Sequence, residues 1–412
     1  MSIVIHGVTL IDGTGSAPQA AAVIVIEGTQ FAGVGGEGTV QLPEHPTQRW
    51  HLPGLTALPG LIDAHVHLLF NPDPSAVRAS PMPRSELLVL RAAVRARRTL
   101  AAGFTTVRDL GAPNAPIFSL RQAVAEGTVP GPRIIASGRC LTITGGHGTQ
   151  YGWPMAWEVD GPEEFRKAVR KQIKLGADCV KVMATRPAFS PPYRGRTSFL
   201  VEEMRPGVED AHAAGAAVAA HAHTSIEGIR NAVLAGVDSI EHGDPADDST
   251  LEMMAARGTM LVPTLALSEG LRQAAQRESF PFGEPLRQRV EQKLELALHT
   301  VRRAKGLGVL MALGTDAGFT AVWHGANALE LALFVRAGLS PMEALLAGTK
   351  HAAKVCGRSA TLGTVEVGKQ ADLIVVEGNP LEDIELLQDR ERIKLIVQDG
   401  RVVVNRGLAA EP

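Results

Sequence analysis

Cysteine is scarce in this chain: three in 412 residues, Cys140, Cys179 and Cys356, none of them in a CxxC pair. That excludes a disulfide framework and a thiolate metal site. Long apolar runs are missing as well, since none approaches the ~18 residues a membrane-spanning helix requires. Neither charge is in excess, because 41 Lys and Arg stand against 43 Asp and Glu. No basic stripe occurs either, so binding to nucleic acid or to a membrane surface is not expected. The opening stretch, MSIVIHGVTLIDG, has no basic flank and no sustained apolar core, and does not read as a signal peptide. With 45% hydrophobic and 20% charged residues, the composition is that of a soluble globular protein. A cytoplasmic location is expected. The length suits one large domain with an appendage, or two or three smaller ones.

What is present is a regular alternation. Strand-like runs occur at 57–67, 104–110, 133–138, 177–184, 216–223, 237–242, 260–266 and 309–316. Helical patterns separate most of them. SELLVLRAAVRARRTLAAG (85–103) and GPEEFRKAVRKQIKLGA (161–177) carry the expected start and stop signals. The joins AAGFTTV, KLGADCV, AAGAAVA, LAGVDSI, ARGTMLV and GLGVLMA repeat one device, a glycine past the helix end and then a buried strand. The eight strand-like runs predict an α/β fold of the (β/α)₈, or TIM, barrel type over 57–356. A doubly wound sheet is the rival, and the strand count favours the barrel. The ends differ: 1–56 and 357–412 read as short strands with glycine turns, including Asp399-Gly400 as a hairpin. Neither half can cover a sheet face alone, which predicts one small β-sandwich built from both termini.

Chemistry gathers at the predicted strand ends. LIDAHVHL (61–68) places His65 and His67 two apart, hence on one face of a strand. Two imidazoles in an apolar wall make a poor core and a good pair of metal ligands. Lys181 lies inside the run DCVKVMAT, where an ammonium facing the interior is costly unless paired or neutralised. His221 and His223 end the fifth strand, His242 the sixth and Asp316 the eighth, while His147 follows the third in TITGGHGTQ. One strand-end histidine is commonly structural; this many at matching ends point to a metal centre. His6, His45, His51, His212, His299 and His351 lie in helical or terminal segments and take the structural reading.

The motifs GLIDAHVH, VKVMAT, AAHAH, SIEHG and GTDAG, in this order, resemble the amidohydrolase superfamily. The likeness spans essentially the whole chain, because LGTVEVGKQADLIVV is similar to the family's C-terminal part. TGGHG, KVMATR and WHGANALE resemble the imidazolonepropionase-like branch that includes prolidase-type dipeptide carboxypeptidases. The resemblance implies two divalent metal ions, usually zinc. His65, His67 and Asp316 would hold one, His221 and His242 the other, with Lys181 carboxylated to bridge them. Imidazole nitrogens and carboxylate oxygens suit Zn²⁺ at about 2.0–2.2 Å. The implied reaction is hydrolysis of an amide or peptide bond of dipeptides or N-acyl amino acids. A metal-bridging hydroxide would attack, Asp316 would shuttle the proton, and His147 would donate to the oxyanion.

Further substrate contacts are assigned to Tyr193, His223, Arg186 and His324. Hydrolysis of cyclic amides, lactones or phosphotriesters is the alternative on the same site. A deaminase is disfavoured, since His223 stands where such enzymes carry a glutamate and Lys181 is present; so is a non-catalytic scaffold, since no ligand is lost. One departure concerns specificity: relatives continue KVMAT with Gly-Gly, whereas this chain has RPAFSPP. The expected partner is a small-molecule substrate, and relatives are often homo-oligomeric.

Overall fold

The computed structural model describes residues 2–73, 83–149, 154–186, 196–276, 284–319 and 321–411. The first strands are β1 (Ser2–Leu10), β2 (Gln19–Glu27), β3 (Gln30–Gly36), β4 (Gln48–His51) and β5 (Leu55–Pro59). Next come the parallel strands β6 (Leu61–Val66), β7 (Phe104–Asp109), β8 (Arg133–Ala136), β9 (Cys140–Thr142) and β10 (Ala156–Glu158). They continue as β11 (Cys179–Met183), β12 (Ala217–Ala222), β13 (Ser239–His242) and β14 (Met260–Val262). The C-terminal strands are β15 (Leu373–Glu377), β16 (Ile393–Gln398) and β17 (Arg401–Asn405).

The chain's two ends do pair. Among the described residues one sheet runs β17-β16-β15-β5-β1-β2-β3, with β4 beside β1. Alternation along β15 shows how it packs. Leu373 and Val375 enter a cluster with Ile3, Ile5, Ile24, Trp50 and Leu395, enclosed by the sheet itself. Ile374 and Val376 face the other way, into the large cluster shared with the helices and the parallel strands. Period-two alternation between two apolar clusters is how a sheet joins two cores.

The parallel strands form two sheets, β6-β7-β8 and β10-β9-β11-β12-β13-β14. At one edge Asp178 N–H donates to the Ala136 carbonyl. At the other, residues 310–317 bond both neighbours. Ala312 N–H donates to Leu261 O, Ala64 N–H to Leu313 O and His67 N–H to Ala317 O, at 2.7–3.0 Å. All six glycines of the helix-to-strand joins, from Gly103 to Gly308, have positive φ, as a left-handed helix terminator requires.

Two expectations need correction. The run 57–67 is not one strand. It divides at Gly60, with β5 in the terminal sheet and β6 in the parallel one. A Cβ on Gly60 would lie 2.3 Å from Thr105 Oγ1, so the crossing is tight enough to need glycine. The run 309–316 makes an isolated bridge at Met311 instead of a continuous ladder, although its backbone still bonds both neighbouring strands. The three cysteines are buried and unpaired. Among the described residues no helix is long and apolar enough to cross a membrane.

Candidate metal centre

His65 and His67 converge, their ring centroids 5.4 Å apart. Asp316 Oδ1 lies 3.0 Å from His67 Nε2 and 3.6 Å from His65 Nε2. The other nitrogen of each ring is committed. His67 Nδ1 stands 3.0 Å from the Gly111 carbonyl, which can only accept, so Nδ1 carries the proton. His65 Nδ1 stands 2.8 Å from Glu241 Oε2. Burial alone would raise Glu241, but Arg108 and then His65 bring it down to about 2, so it too only accepts.

In neutral rings both Nε2 atoms are therefore lone pairs aimed at a carboxylate oxygen, and Asp316 Oδ1 has no hydrogen bond to relieve it. Three electron-rich atoms facing one point call for a cation, and this donor set is one that zinc accepts. Ligand atoms on one tetrahedral ion stand about 3.3 Å apart, and the two observed separations bracket that value. Among the described residues, His65, His67 and Asp316 form the group able to hold a metal.

A second group faces it. His242 Nε2 is 2.9 Å from His221 Nδ1, and the His65 and His242 centroids are 5.4 Å apart. Burial, followed by neighbouring imidazoles, holds His221 and His242 well below the usual range. They are neutral, the form that ligates. Lys181, on β11, is 1% exposed, and its Nζ has no hydrogen-bond partner. Burial lowers its pKa, favouring the neutral amine. Lys181 acts electrostatically on His65, His221, His242 and Asp316 alike. A buried amine without a hydrogen-bond partner, coupled to both sets of donors, has no structural pairing to explain it.

The backbone is bent to make this arrangement. His242, Thr264 and Asp316 have φ of 72°, 51° and 62°, a region that side-chain-bearing residues rarely enter and that costs of order 1–3 kcal/mol each. Such outliers gather where a site is held against local preference. Asp63 supplies part of the hold. Its carboxylate accepts from Thr315 Oγ1 (2.6 Å), Asn327 Nδ2 (2.7 Å), His65 N–H (3.0 Å) and Thr315 N–H (3.1 Å). Those bonds tie the His65 strand to the turn that carries Asp316.

Beneath lies a dry ion pair. Arg108 and Glu241 are both unexposed, with Nη2 to Oε1 at 2.9 Å. Arg108 also donates to the carbonyls of Ala64 (2.7 Å) and Val355 (3.1 Å). Ser239 Oγ donates to Glu241 at 2.6 Å. The sequence reading missed Asp63, Arg108 and Glu241. The available signal was the one that singled out Lys181, a charged residue inside an apolar strand.

The remaining expected residues are spread more widely. His147 is half-buried on its loop and stacks on His221, centroids 4.4 Å apart. Burial and Lys181 push it down to about 4. His223 is buried, 4.8 Å from the His221 ring. Both nitrogens of His324 are engaged, Nε2 by the His67 carbonyl (3.2 Å) and Nδ1 by Thr99 Oγ1 (3.4 Å). That places it behind the ligand strand. Arg186 is half-buried, its N–H on the Arg196 carbonyl. Tyr193 lies outside the described residues. His212 pairs with Asp238, His351 with the Met311 carbonyl, and His6 stacks on His51, as structural histidines do.

The amidohydrolase family model matches residues 56–403. Ochratoxinase of Aspergillus niger is 32% identical, over 98% of this chain and 87% of its own length. A solved Xaa-Pro dipeptidase with methionine in its active site is 34% identical, with TM-score 0.88 over 98% of this chain and 99% of that one. A prolidase complexed with N-methylphosphonate-L-proline is 31% identical, with TM-score 0.87 over 98% and 100%.

Proposed function

The chain belongs to the amidohydrolase family, in its prolidase-like branch, and on that premise we propose that this hydrolase cleaves an amide or peptide bond whose leaving amine carries a free carboxylate. Dipeptides and N-acyl amino acids are the substrate class. One observation carries the reading: the lone pairs of His65 and His67 and a carboxylate oxygen of Asp316 meet at one point, opposite a second imidazole pair and an unpartnered lysine. One similar structure is a Xaa-Pro dipeptidase holding methionine and another a prolidase holding N-methylphosphonate-L-proline; both bound molecules carry a free carboxylate, which supports the substrate class.

His65, His67 and Asp316 would hold one divalent ion, most simply zinc, and His221 and His242 a second, with Lys181 as a carboxylated bridge. A pair of such ions supplies an activated water at neutral pH and polarises a carbonyl oxygen. The protein's own groups do the rest. Asp316 titrates below the usual carboxylate range, so it is ionised at neutral pH, the form that can accept a proton. It takes the proton from the attacking water at a carboxylate oxygen and returns it to the leaving amine. His147, neutral at pH 7, donates an N–H to the carbonyl oxygen as charge develops. His223, Arg186 and Tyr193 are assigned to the substrate. His324, with both nitrogens engaged, is assigned to bracing His67.

The same reading extends to architecture. Residues 60–356 form one closed (β/α)₈ barrel, and 1–59 with 357–412 a small β-sandwich beside it. Hydrogen bonds from 310–317 to both β14 and β6 support closure, and the pairing of β5 with β15 supports a boundary at Gly60. The functional test is amino-acid release by the zinc-loaded protein across a panel of dipeptides and N-acyl amino acids, with Asp316→Asn as control. Release that depends on Asp316 is expected. No release from a protein holding two metals would redirect the search to lactones, cyclic amides and phosphotriesters.

A further inference from the structure

Thr264 occupies the N-cap position of the helix Leu265–Ala275, yet its side chain makes no cap bond. A threonine there ordinarily turns its hydroxyl onto its own helix. Here Oγ1 lies 2.7 Å from His242 Nδ1 instead. That leaves the helix's first N–H groups needing acceptors in a buried setting, where unpaired ones are costly. Glu330 provides both. Its Oε1 accepts from Leu265 N–H at 2.8 Å and its Oε2 from Ala266 N–H at 2.6 Å. Glu330 is unexposed and arrives from another helix, Leu329–Arg336.

We infer that Glu330 is a positioning residue for His242: by capping the helix Leu265–Ala275 in place of Thr264, it leaves the Thr264 hydroxyl to orient the His242 ring. The inference rests on the two-metal reading above. Two bonds from one carboxylate to consecutive peptide groups fix the first turn, and Thr264 is the residue immediately before it. The φ of 51° at Thr264 is a conformation that a β-branched residue does not hold unaided, so an external clamp is needed.

The same short segment reaches the other ligands. Asn327 Nδ2 donates to Asp63, which holds His65 N–H and Thr315, and His324 Nε2 contacts the His67 carbonyl. His324, Asn327 and Glu330, spaced three apart in HGANALE, thus bear on β6 with its His65 and His67, on the segment that carries Asp316 and on His242 of β13. Groups that orient a ligating histidine typically change metal affinity 10–100-fold when removed.

Metal-free full-length protein is titrated with Co²⁺, following bound cobalt and its visible absorbance, for wild type, Glu330→Leu, Thr264→Val and Thr264→Ser. Wild type is expected to take two ions. Glu330→Leu and Thr264→Val should keep one ion at wild-type affinity and weaken the other 10–100-fold, with a matching change in the spectrum. Thr264→Ser, which keeps the hydroxyl, should restore binding. The double variant should lose no more than either single one, since both break one chain of contacts. A general structural defect would weaken both ions together, and that result overturns the inference. So does wild-type binding of both ions by Glu330→Leu, or by Thr264→Val if Glu330→Leu does not fold. Wild type that takes fewer than two ions refutes the two-metal reading itself, and the inference with it.

Discussion

Replacing Glu241 by glutamine keeps the shape of the buried relay and removes its charge. Two consequences follow from the distances. Arg108, unexposed, loses its counter-ion at 2.9 Å and keeps three neutral acceptors, Ala64 O, Val355 O and Ser239 Oγ. Breaking a buried pair from one side costs about 3–5 kcal/mol, and the three remaining acceptors put this case near the lower end. At His65 the new amide also mismatches. If its nitrogen faces Nδ1, the ring must move its proton to Nε2, which points at Asp316. If its oxygen faces Nδ1, the amide nitrogen confronts the Arg108 donors. Metal affinity should therefore fall 10–100-fold as well.

Urea unfolding of the metal-free protein at pH 7.5 measures the first effect, and a competitive Zn²⁺ titration the second. Ser239→Ala, which removes one neutral donor, should cost about 1 kcal/mol. The pH dependence has a definite sign. Glu241 is held at about 2 against an ordinary 4.5, so its contribution is complete above about pH 4.5 and disappears as pH falls towards 2. The glutamine penalty should be flat from pH 8 to 5 and shrink below that. A Glu241→Gln protein within 1 kcal/mol of wild type, holding zinc equally well, would refute the reasoning.

Other perturbations probe separate parts. Gly314→Ala would put a Cβ 2.3 Å from Val262 Cγ1 and 2.8 Å from His65 Cβ; metal content should drop while circular dichroism stays unchanged, and full metal content would mean that the His65 strand yields easily. Burial raises Asp109 to about 6 from 3.8, so the native state binds the extra proton between those values and loses stability as pH rises through them. At about 1.4 kcal/mol per unit, the deficit of Asp109→Asn in urea unfolding should narrow by up to about 3 kcal/mol between pH 4 and 7; a pH-independent deficit contradicts this. Lys181→Ala should lose at least one metal and most activity, and normal metal content with normal turnover would remove the bridge.

Much of this was legible in the sequence, for identifiable reasons. The helix-to-strand glycines were, because a left-handed terminator has few other solutions. His65, His67, His221, His242 and Lys181 were, because imidazoles and an amine are conspicuous in apolar strands. The division at Gly60 was not, since the buried apolar run continues unbroken through ALPGLI while the chain changes sheets. The missing ladder over 309–316 was hidden too. Side-chain bonds from Asp63 to Thr315 and Asn327 join residues 252 and 264 positions apart, and no local pattern encodes that. His324 read as a loop residue facing the substrate side, whereas its partners, the His67 carbonyl and Thr99, become neighbours only in the folded chain. Glu330 failed to stand out because a glutamate in a helical pattern reads as solvated surface, and only tertiary packing leaves it unexposed.

The most direct test of the account is the diffraction structure of the zinc-loaded protein, with anomalous data collected at the zinc edge. The account predicts two peaks, one among His65, His67 and Asp316 and one at His221 and His242, with added density on Lys181 Nζ between them. A single peak with an unmodified Lys181, or zinc bound away from these side chains, would contradict it.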